Sequence, residues 1–407
     1  MSEDYIQGDG CRFKREPIGL LPASILELDE LRDEYKKRRS EAYTKYGIKS
    51  DEYKKWDIAQ KTVKRMRATF YGLTLDDSFG WYDENIGKTI TKGGRDALTS
   101  IAEKSEEEGF KVIYGDTDSI FVKLGDELSH EECAKEATKL AKKLTKHMRD
   151  KLRSDVIDVE CETIMDKLLL GRAKKRYVGR IIWEPDTGLD IQKQPVEDRM
   201  KITGIALKQK KVPYIGKNVM RQFIKEIFEG KSIDESMVIV KNYIRQVRED
   251  FHNGTLDLSL LFVFDKINKS IPDQSRVESN DKNWHYAKGS IKGGSEVTSY
   301  YKSLGTQNCR AAAWHNIVLM DNDYPPIEEG DTFYSVFVND GPTWIPNGGV
   351  IGFHDIEQIS DYTIDIERCI QKNIIDPMDT LLVALGRSKE ELVDRTNVFK
   401  VEDYIGL

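Results

Sequence analysis

The run Val112-Ile113-Tyr114-Gly115-Asp116-Thr117-Asp118-Ser119-Ile120-Phe121 leaves little room for anything but a β-hairpin with acids at its tip. Short apolar, β-forming stretches flank a Gly-Asp turn on both sides. Residues two apart in an extended segment share a face, so Asp116 and Asp118 can converge on one cation. Hard oxygen donors without His or Cys beside them suit Mg²⁺ or Mn²⁺ better than zinc. Taken alone, an Asp-X-Asp pair is more often a polar turn than a metal site. The case therefore depends on what surrounds it.

Residues 52–71 contain neither Gly nor Pro and are rich in helix formers, which predicts a long helix. Gln60, Lys64 and Ala68 recur every four residues and Tyr71 follows three later, so the four fall on one stripe. An amide, a cation, a methyl and a ring in that order suit a nucleoside triphosphate, with polar contacts at the phosphates and a flat contact near the base. Lys64 would neutralise phosphate charge and Gln60 would donate to a phosphate oxygen. Arg32, on the preceding helical segment, would add a planar fork that matches phosphate geometry. The bland account of such composition is a solvated, Lys-rich pair of helices.

The whole block Tyr-Gly-Asp-Thr-Asp-Ser-Ile at 114–120 resembles motif C of the family-B DNA polymerases. Three other segments, in the right order, carry the same resemblance. Phe13–Arg39 holds Phe-Lys-Arg-Glu-Pro-Ile-Gly-Leu-Leu-Pro and a charged helical pattern after it. Gln60–Gly72 is similar to motif B, whose usual form is Lys, three variable residues, Asn-Ser, one variable residue and Tyr-Gly. Lys174-Lys175-Arg176-Tyr177 looks like the Lys-X-Tyr motif, which in that family lies against the primer–template duplex. The resemblance implies an α+β, right-hand architecture. Residues 1–16 would enter the palm, 17–72 would be a helical-hairpin fingers domain, 73–200 the palm with motif C, and 201–407 a mostly helical thumb. It implies Asp116 and Asp118 as catalytic metal ligands, Arg32, Gln60, Lys64 and Tyr71 at the nucleotide, and Lys175 and Tyr177 on DNA. Two Mg²⁺ ions, primer–template DNA and dNTP would be its cofactor and substrates, and template-directed DNA synthesis its activity.

The sequence departs from the family in two ways. Motif B carries Ala68 and Thr69 where Asn and Ser are usual, which removes a hydrogen-bonding side chain near the incoming nucleotide. Motif A, the second acidic strand, is not found upstream of Phe13, and Asp323-Tyr324-Pro325-Pro326 lacks its Ser-Leu-Tyr core. Exonuclease motifs are missing as well. Two-metal phosphoryl transfer needs acids from both strands. The expectation is thus a C-terminal subunit of a split polymerase, with motif A and the exonuclease on a second polypeptide. A non-catalytic DNA-binding or assembly subunit of the same descent is the alternative. An unrelated Asp-X-Asp enzyme, such as a glycosyltransferase, would leave motif B and Lys-X-Tyr as coincidences.

The net charge of −7 on 407 residues argues against a simple DNA-coating protein, so distribution matters more than the sum. Basic tracts at Lys142–Arg153 and Arg172–Arg180 stand out. The first reads as a solvated helix face, the second, with Tyr177 embedded, as a contact for a phosphate backbone. Five dispersed cysteines without zinc spacing fit reduced thiols in a cytoplasmic compartment, no apolar run approaches membrane-spanning length, and the resemblance implies a prokaryotic or viral replication setting.

The pattern further predicts a helix break at 46–50 and a helix over Ser129–Arg153. It predicts a strand with acids on one face at Val156–Glu162, and Glu160 and Glu162 could then approach the metal site or face solvent. Helices are expected near 218–229, 234–248 and 308–318, with a Gly/Lys-rich turn at 288–294. A strand pair should flank Asn339-Asp340-Gly341, and a helical stretch over 364–385 should break at Pro377. The tail Val398–Ile405 is either a sliding-clamp contact or a plain apolar end.

Overall fold

A computed structural model describes residues 5–7, 9, 11–14, 16–268, 285–287, 290–292, 306–318, 324–339 and 349–393. Long helices combine with small antiparallel sheets, an α+β fold. The chain divides into two compact units, Met1–Asp166 with Ile181–Pro195, and Lys167–Arg180 with Val196–Leu407.

In the first unit, β1 (Tyr5–Gln7) and β2 (Arg12–Lys14) form an antiparallel pair. Two long helices follow, α1 (Leu20–Tyr46) and α2 (Asp51–Thr74). The break between them falls where it was expected. Gly47 ends α1 at φ 81°, a conformation costly for a side chain, and Ser50 caps α2 by accepting from the Tyr53 amide. Cross-helix partners run in descending register, Asp29 to Arg67 at 2.7 Å, Arg39 to Asp57 at 3.2 Å and Tyr43 against Tyr53, so the helices are antiparallel. Ala42 is the buried residue of α1, and α2 buries Gln60, Val63 and Thr74. This hairpin is held by ion pairs and ring contacts more than by a core of its own.

Next come α3 (Glu84–Glu107), the hairpin strands β3 (Lys111–Asp116) and β4 (Ser119–Lys123), and α4 (His130–Leu152). Ser129 and Glu132 cap α4 reciprocally, a start signal legible in Ser-x-x-Glu, and Arg153 closes it in the left-handed region. Its stripe Cys133, Ala137, Leu140, Leu144 and Met148 is buried. Lys142 and Lys146 are exposed, as a solvated face requires.

The strand expected at Val156–Glu162 is not formed. Side chains of α4 take the backbone groups a neighbouring strand would have bonded. Arg149 Nε donates to the Ile157 carbonyl at 2.9 Å, and Thr145 Oγ1 accepts from the Val159 amide at 2.9 Å. Alternating apolar and acidic residues therefore mark an extended segment without a ladder.

Strands β5 (Ile164–Leu170) and β6 (Tyr177–Trp183) are each divided by the boundary between units, and β7 (Met200–Thr203) completes their sheet in the order β5–β6–β7. In the second unit, α5 (Tyr214–Glu229) and α6 (Ile233–His252) are amphipathic, and the expected helices extend a few residues further than their patterns suggested. Strand β8 (Val263–Lys266) belongs to a three-stranded antiparallel sheet. The strands β9 (His285–Ala287) and β10 (Ser290–Lys292) pair in the region expected as a Gly/Lys-rich turn, of which 288, 289, 293 and 294 lie outside the described residues. Helix α7 (Gln307–Val318) precedes β11 (Thr332–Val338) and β12 (Gly349–Phe353), giving the sheet order β12–β11–β8. These last two strands flank the Asn339-Asp340-Gly341 segment as expected, although Asp340 and Gly341 lie outside the described residues, as does the tail Val398–Ile405.

Phe223, Phe228, Phe333, Phe353 and Ile215, all fully buried, anchor the core of the second unit. Lys167 Nζ donates to the Ile227 carbonyl at 3.3 Å and Arg180 to that of Phe228, so cations from β5 and β6 satisfy the C-terminal carbonyls of α5.

The stretch 364–385 does not break at Pro377: it stays helical from 366 to 384 and only widens just before the proline. Helix α8 (Ile366–Ile370) runs into a wide turn at Gln371–Ile375, and α9 (Asp376–Ala384) continues with Pro377 in its first turn. Proline has no N–H for the Asn373 carbonyl four residues back, and its ring crowds that carbonyl. The Asp376 amide instead bonds Gln371 O, five residues back. Gly216 of α5 packs against the Asn373 carbonyl, where any Cβ would fall far inside contact distance.

Asp376 also accepts from Lys372 and Lys389, each at 2.8 Å, and from Gln371 at 3.0 Å. Burial pushes its carboxyl up, but these three donors outweigh it and carry the pKa down to about 2. A carboxyl depressed on folding stabilises fully above its unfolded pKa near 4 and loses that contribution as pH falls through about 2. Asp376→Asn should therefore lower Tm at pH 7, and the gap from the native chain should close between about pH 4 and pH 2 in a thermal denaturation series.

Candidate active site

The expected acidic tip is built as the sequence implied. Strands β3 and β4 pair antiparallel with Gly115 opposite Ile120 and Asp116 opposite Ser119, which leaves Thr117 and Asp118 as the turn. Thr117 sits at φ 55°, an uncommon conformation for a β-branched residue, and the Asp118 amide donates to the Asp116 carbonyl at 2.7 Å. The turn is tight because the chain reverses within two residues. It brings both carboxyl-bearing residues to one end of the hairpin, with Asp116 half-buried and Asp118 exposed. Thr117 Oγ1 donates to Asp116 Oδ1 at 3.2 Å.

These oxygen donors fit a hard divalent cation by type. By number they fall short. Among the described residues, no group of three or more His, Cys, Asp or Glu is gathered as a metal site would require. Glu160 lies on the irregular segment after α4, where its carboxylate pairs with Lys36 at 3.3 Å.

The proposed triphosphate stripe is only partly presented. Lys64, Ala68 and Tyr71 are exposed on α2, whereas Gln60 is 5% exposed. Gln60 Nε2 donates to Asp57 Oδ1 at 3.2 Å instead of facing outward. Spacing of four correctly groups these residues, but α2 turns the Gln60 edge of that group into the helix pair. Arg32 is half-buried on α1, and its Nε is buried without a hydrogen-bond partner among the described residues. Arg32, Gln60, Lys64 and Tyr71 thus share one helical hairpin, with Lys64 and Tyr71 as its outward members.

Around Gln60 lies a charged cluster the sequence did not single out. Asp57 accepts from Arg39, Lys61 and Gln60, and Arg39 also pairs with Asp186 in the turn after β6. Burial raises the Asp57 carboxyl, but Lys61, Gln60 and Arg39 together hold it below its ordinary value. Burial, with Asp186, Asp57 and Glu184 nearby, pushes the Tyr53 phenol up to about 12.

Lys175 and Tyr177 belong to the second unit. The Gly171 amide donates to the Arg176 carbonyl at 2.7 Å, closing a loop in which residues 172–176 are all exposed. Lys175 adopts φ 61°, and Gly204, also at φ 61°, lies against its carbonyl, where a Cβ would collide. That approach requires glycine at 204. Tyr177 opens β6 opposite Thr203, half-buried. The basic loop is therefore displayed by two crossing backbones in left-handed conformations.

The family model described as DNA polymerase family B matches residues 3–281. A DNA polymerase of Archaeoglobus fulgidus is 27% identical over 276 residues, covering 67% of this chain and 30% of that protein. The DNA polymerase alpha catalytic subunit of Mus musculus is 21% identical over 378 residues, covering 90% of this chain and 22% of that protein. The chain spans less than a third of the length of either relative. The solved family B DNA polymerase of Pyrobaculum calidifontis aligns over 92% of this chain and 39% of its own, with TM-score 0.49 and 22% identity. No helix among the described residues is long and apolar enough to cross a membrane.

Proposed function

The chain belongs to DNA polymerase family B, and we propose on that premise that it is the C-terminal part of a split, template-directed DNA polymerase. The tight acidic turn at Asp116-Thr117-Asp118 carries this reading, because it sets two carboxylates at one end of a hairpin inside the matched region. Asp116 and Asp118 would hold Mg²⁺ or Mn²⁺, which when bound supplies charge neutralisation at the reacting phosphate. Lys64, with Arg32 behind it, would hold the triphosphate, and Tyr71 would lie against the nascent base pair. Gln60 would act through Asp57 in place of touching phosphate. Lys175 and Tyr177 would grip the primer–template. The primer 3′-hydroxyl attacks the α-phosphate of dNTP and pyrophosphate leaves. In this assignment 1–16 enters the palm, 17–72 is the fingers, 73–200 the palm and 201–407 the thumb.

A second polypeptide would bring motif A and the exonuclease. Three observations support an absent neighbour. The β3–β4 pair has no third strand among the described residues, and no third acid joins Asp116 and Asp118. Residues 91–96 of α3 are exposed around the whole turn, and open space surrounds Gly93 and Gly94. The alternative, a non-catalytic assembly subunit, draws on the withdrawal of Gln60 and on Ala68, which both weaken a nucleotide site. A clamp contact by the tail would add processivity.

Mg²⁺-dependent primer extension decides between the two. We expect extension by the chain mixed with a polypeptide carrying motif A, and none by the chain alone. Duplex binding without extension in the mixture would instead favour the assembly subunit.

A further inference from the structure

The helical hairpin that carries Arg32 and Lys64 meets the turn after β6 at a half-buried charged cluster. Arg39 of α1 reaches Asp57 of α2 at 3.2 Å through one guanidinium nitrogen and Asp186 through the other. The three side chains are 17%, 19% and 18% exposed, so this is not a solvated surface pair. Asp186 sits in a hydrogen-bonded turn, where Glu184 and Gly188 form an isolated bridge and Thr187 Oγ1 donates to Glu184 at 3.2 Å. A second tie from α1, Lys36 to Glu160, ends on a carboxylate that is 61% exposed, and exposed pairs constrain little.

Position along the helices gives the tie its consequence. Arg39 follows Arg32 by two turns, and Asp57 precedes Lys64 by two turns, each about 10 Å along the axis. A helix transmits a tilt at one end to the other without bending much over that length. Gln60 lies between, buried and bonded to Asp57. Burial works against the charge on Arg39, yet Asp186 and Asp57 more than compensate and hold the guanidinium above its ordinary pKa. Removing Asp186 would leave Arg39 half-buried and bonded to Asp57 alone, a state that favours movement toward water.

We infer that the Arg39–Asp186 pair is a positioning device that sets the angle of the helical hairpin, and through it the nucleotide affinity of Lys64 and Arg32. Neither residue touches nucleotide. The inference rests on the polymerase reading for its kinetic consequence, but not for its mechanical one.

The test uses the full chain with its motif A partner. Asp186→Asn keeps the shape and removes the charge, and Asp186→Glu restores the charge. KM for dATP in primer extension should rise about tenfold in Asp186→Asn, with kcat within twofold, and return toward the native value in Asp186→Glu. Amide hydrogen exchange on the same proteins should show both hairpin helices loosened in Asp186→Asn only. Unchanged KM, or equal loss of kcat and kcat/KM, in a folded Asp186→Asn protein overturns the inference. A native complex that extends no primer removes the polymerase reading instead. Exchange then decides the tie alone, with faster exchange in Asp186→Asn supporting it and unaltered exchange overturning it.

Discussion

Asp118→Ala should abolish primer extension, cutting kcat by about a thousandfold or more, the equivalent of about 4 kcal/mol of transition-state stabilisation. The side chain is exposed at the tip of the β3–β4 turn, and the hairpin register is set by backbone bonds on either side. Its removal should therefore leave Tm and duplex binding unchanged. Asp116→Ala should cost activity too, with some loss of stability because that residue is half-buried and takes a bond from Thr117. Asp150→Ala, on the exposed side of α4, serves as the control for lost negative charge. Retained synthesis in Asp118→Ala would remove the hairpin from the chemistry. Loss of activity together with a collapsed Tm would show a folding defect and leave the metal role without support.

The largest stability effect should come from Gly216→Ala, at about 3 kcal/mol. A methyl there would run into the Asn373 carbonyl, and that atom belongs to backbone fixed by the wide turn at Gln371–Ile375. Neither partner can step aside cheaply, because Ile215, Val219 and Met220 on α5 and Ile374 and Ile375 on the turn are fully or almost fully buried. Gly93→Ala is the contrast. Its added methyl meets open space inside a helix, where alanine is favoured over glycine by about 1 kcal/mol, so the lone chain should gain stability. Chemical denaturation of both variants measures the difference directly. A small cost for Gly216→Ala would mean that α5 and the turn separate more easily than their packing implies.

Much of the site and fold could be read from local chemistry. The acidic hairpin followed from Gly115-Asp116 between two β-forming runs. The helix expected over Ser129–Arg153 forms, and the structure closes its start, like that at Ser232, with a reciprocal Ser and Glu cap. What escaped depends on neighbours that spacing does not report. Val156–Glu162 alternates like a strand, but whether a ladder forms depends on a second strand, and here Arg149 and Thr145 occupy its place. Gln60 shares a stripe with Lys64, yet which edge of a helix is packed is decided by the partner helix. Arg39, Asp57 and Asp186 look like ordinary surface charges until the turn after β6 meets the hairpin. Pro377 reads as an interruption, yet the helix runs through it and only widens upstream, at the carbonyl it cannot serve.

That last displacement has an evolutionary reading. Glycine at 216 and proline at 377 answer the same atom, the Asn373 carbonyl, from opposite sides. A substitution restoring an N–H at 377 would let the turn tighten and draw the carbonyl back into its own helix, relaxing the demand for glycine across the interface. A side chain arriving at 216 first would meet the carbonyl still in place. The two positions therefore form one inherited choice, open to change in one order and nearly closed in the other.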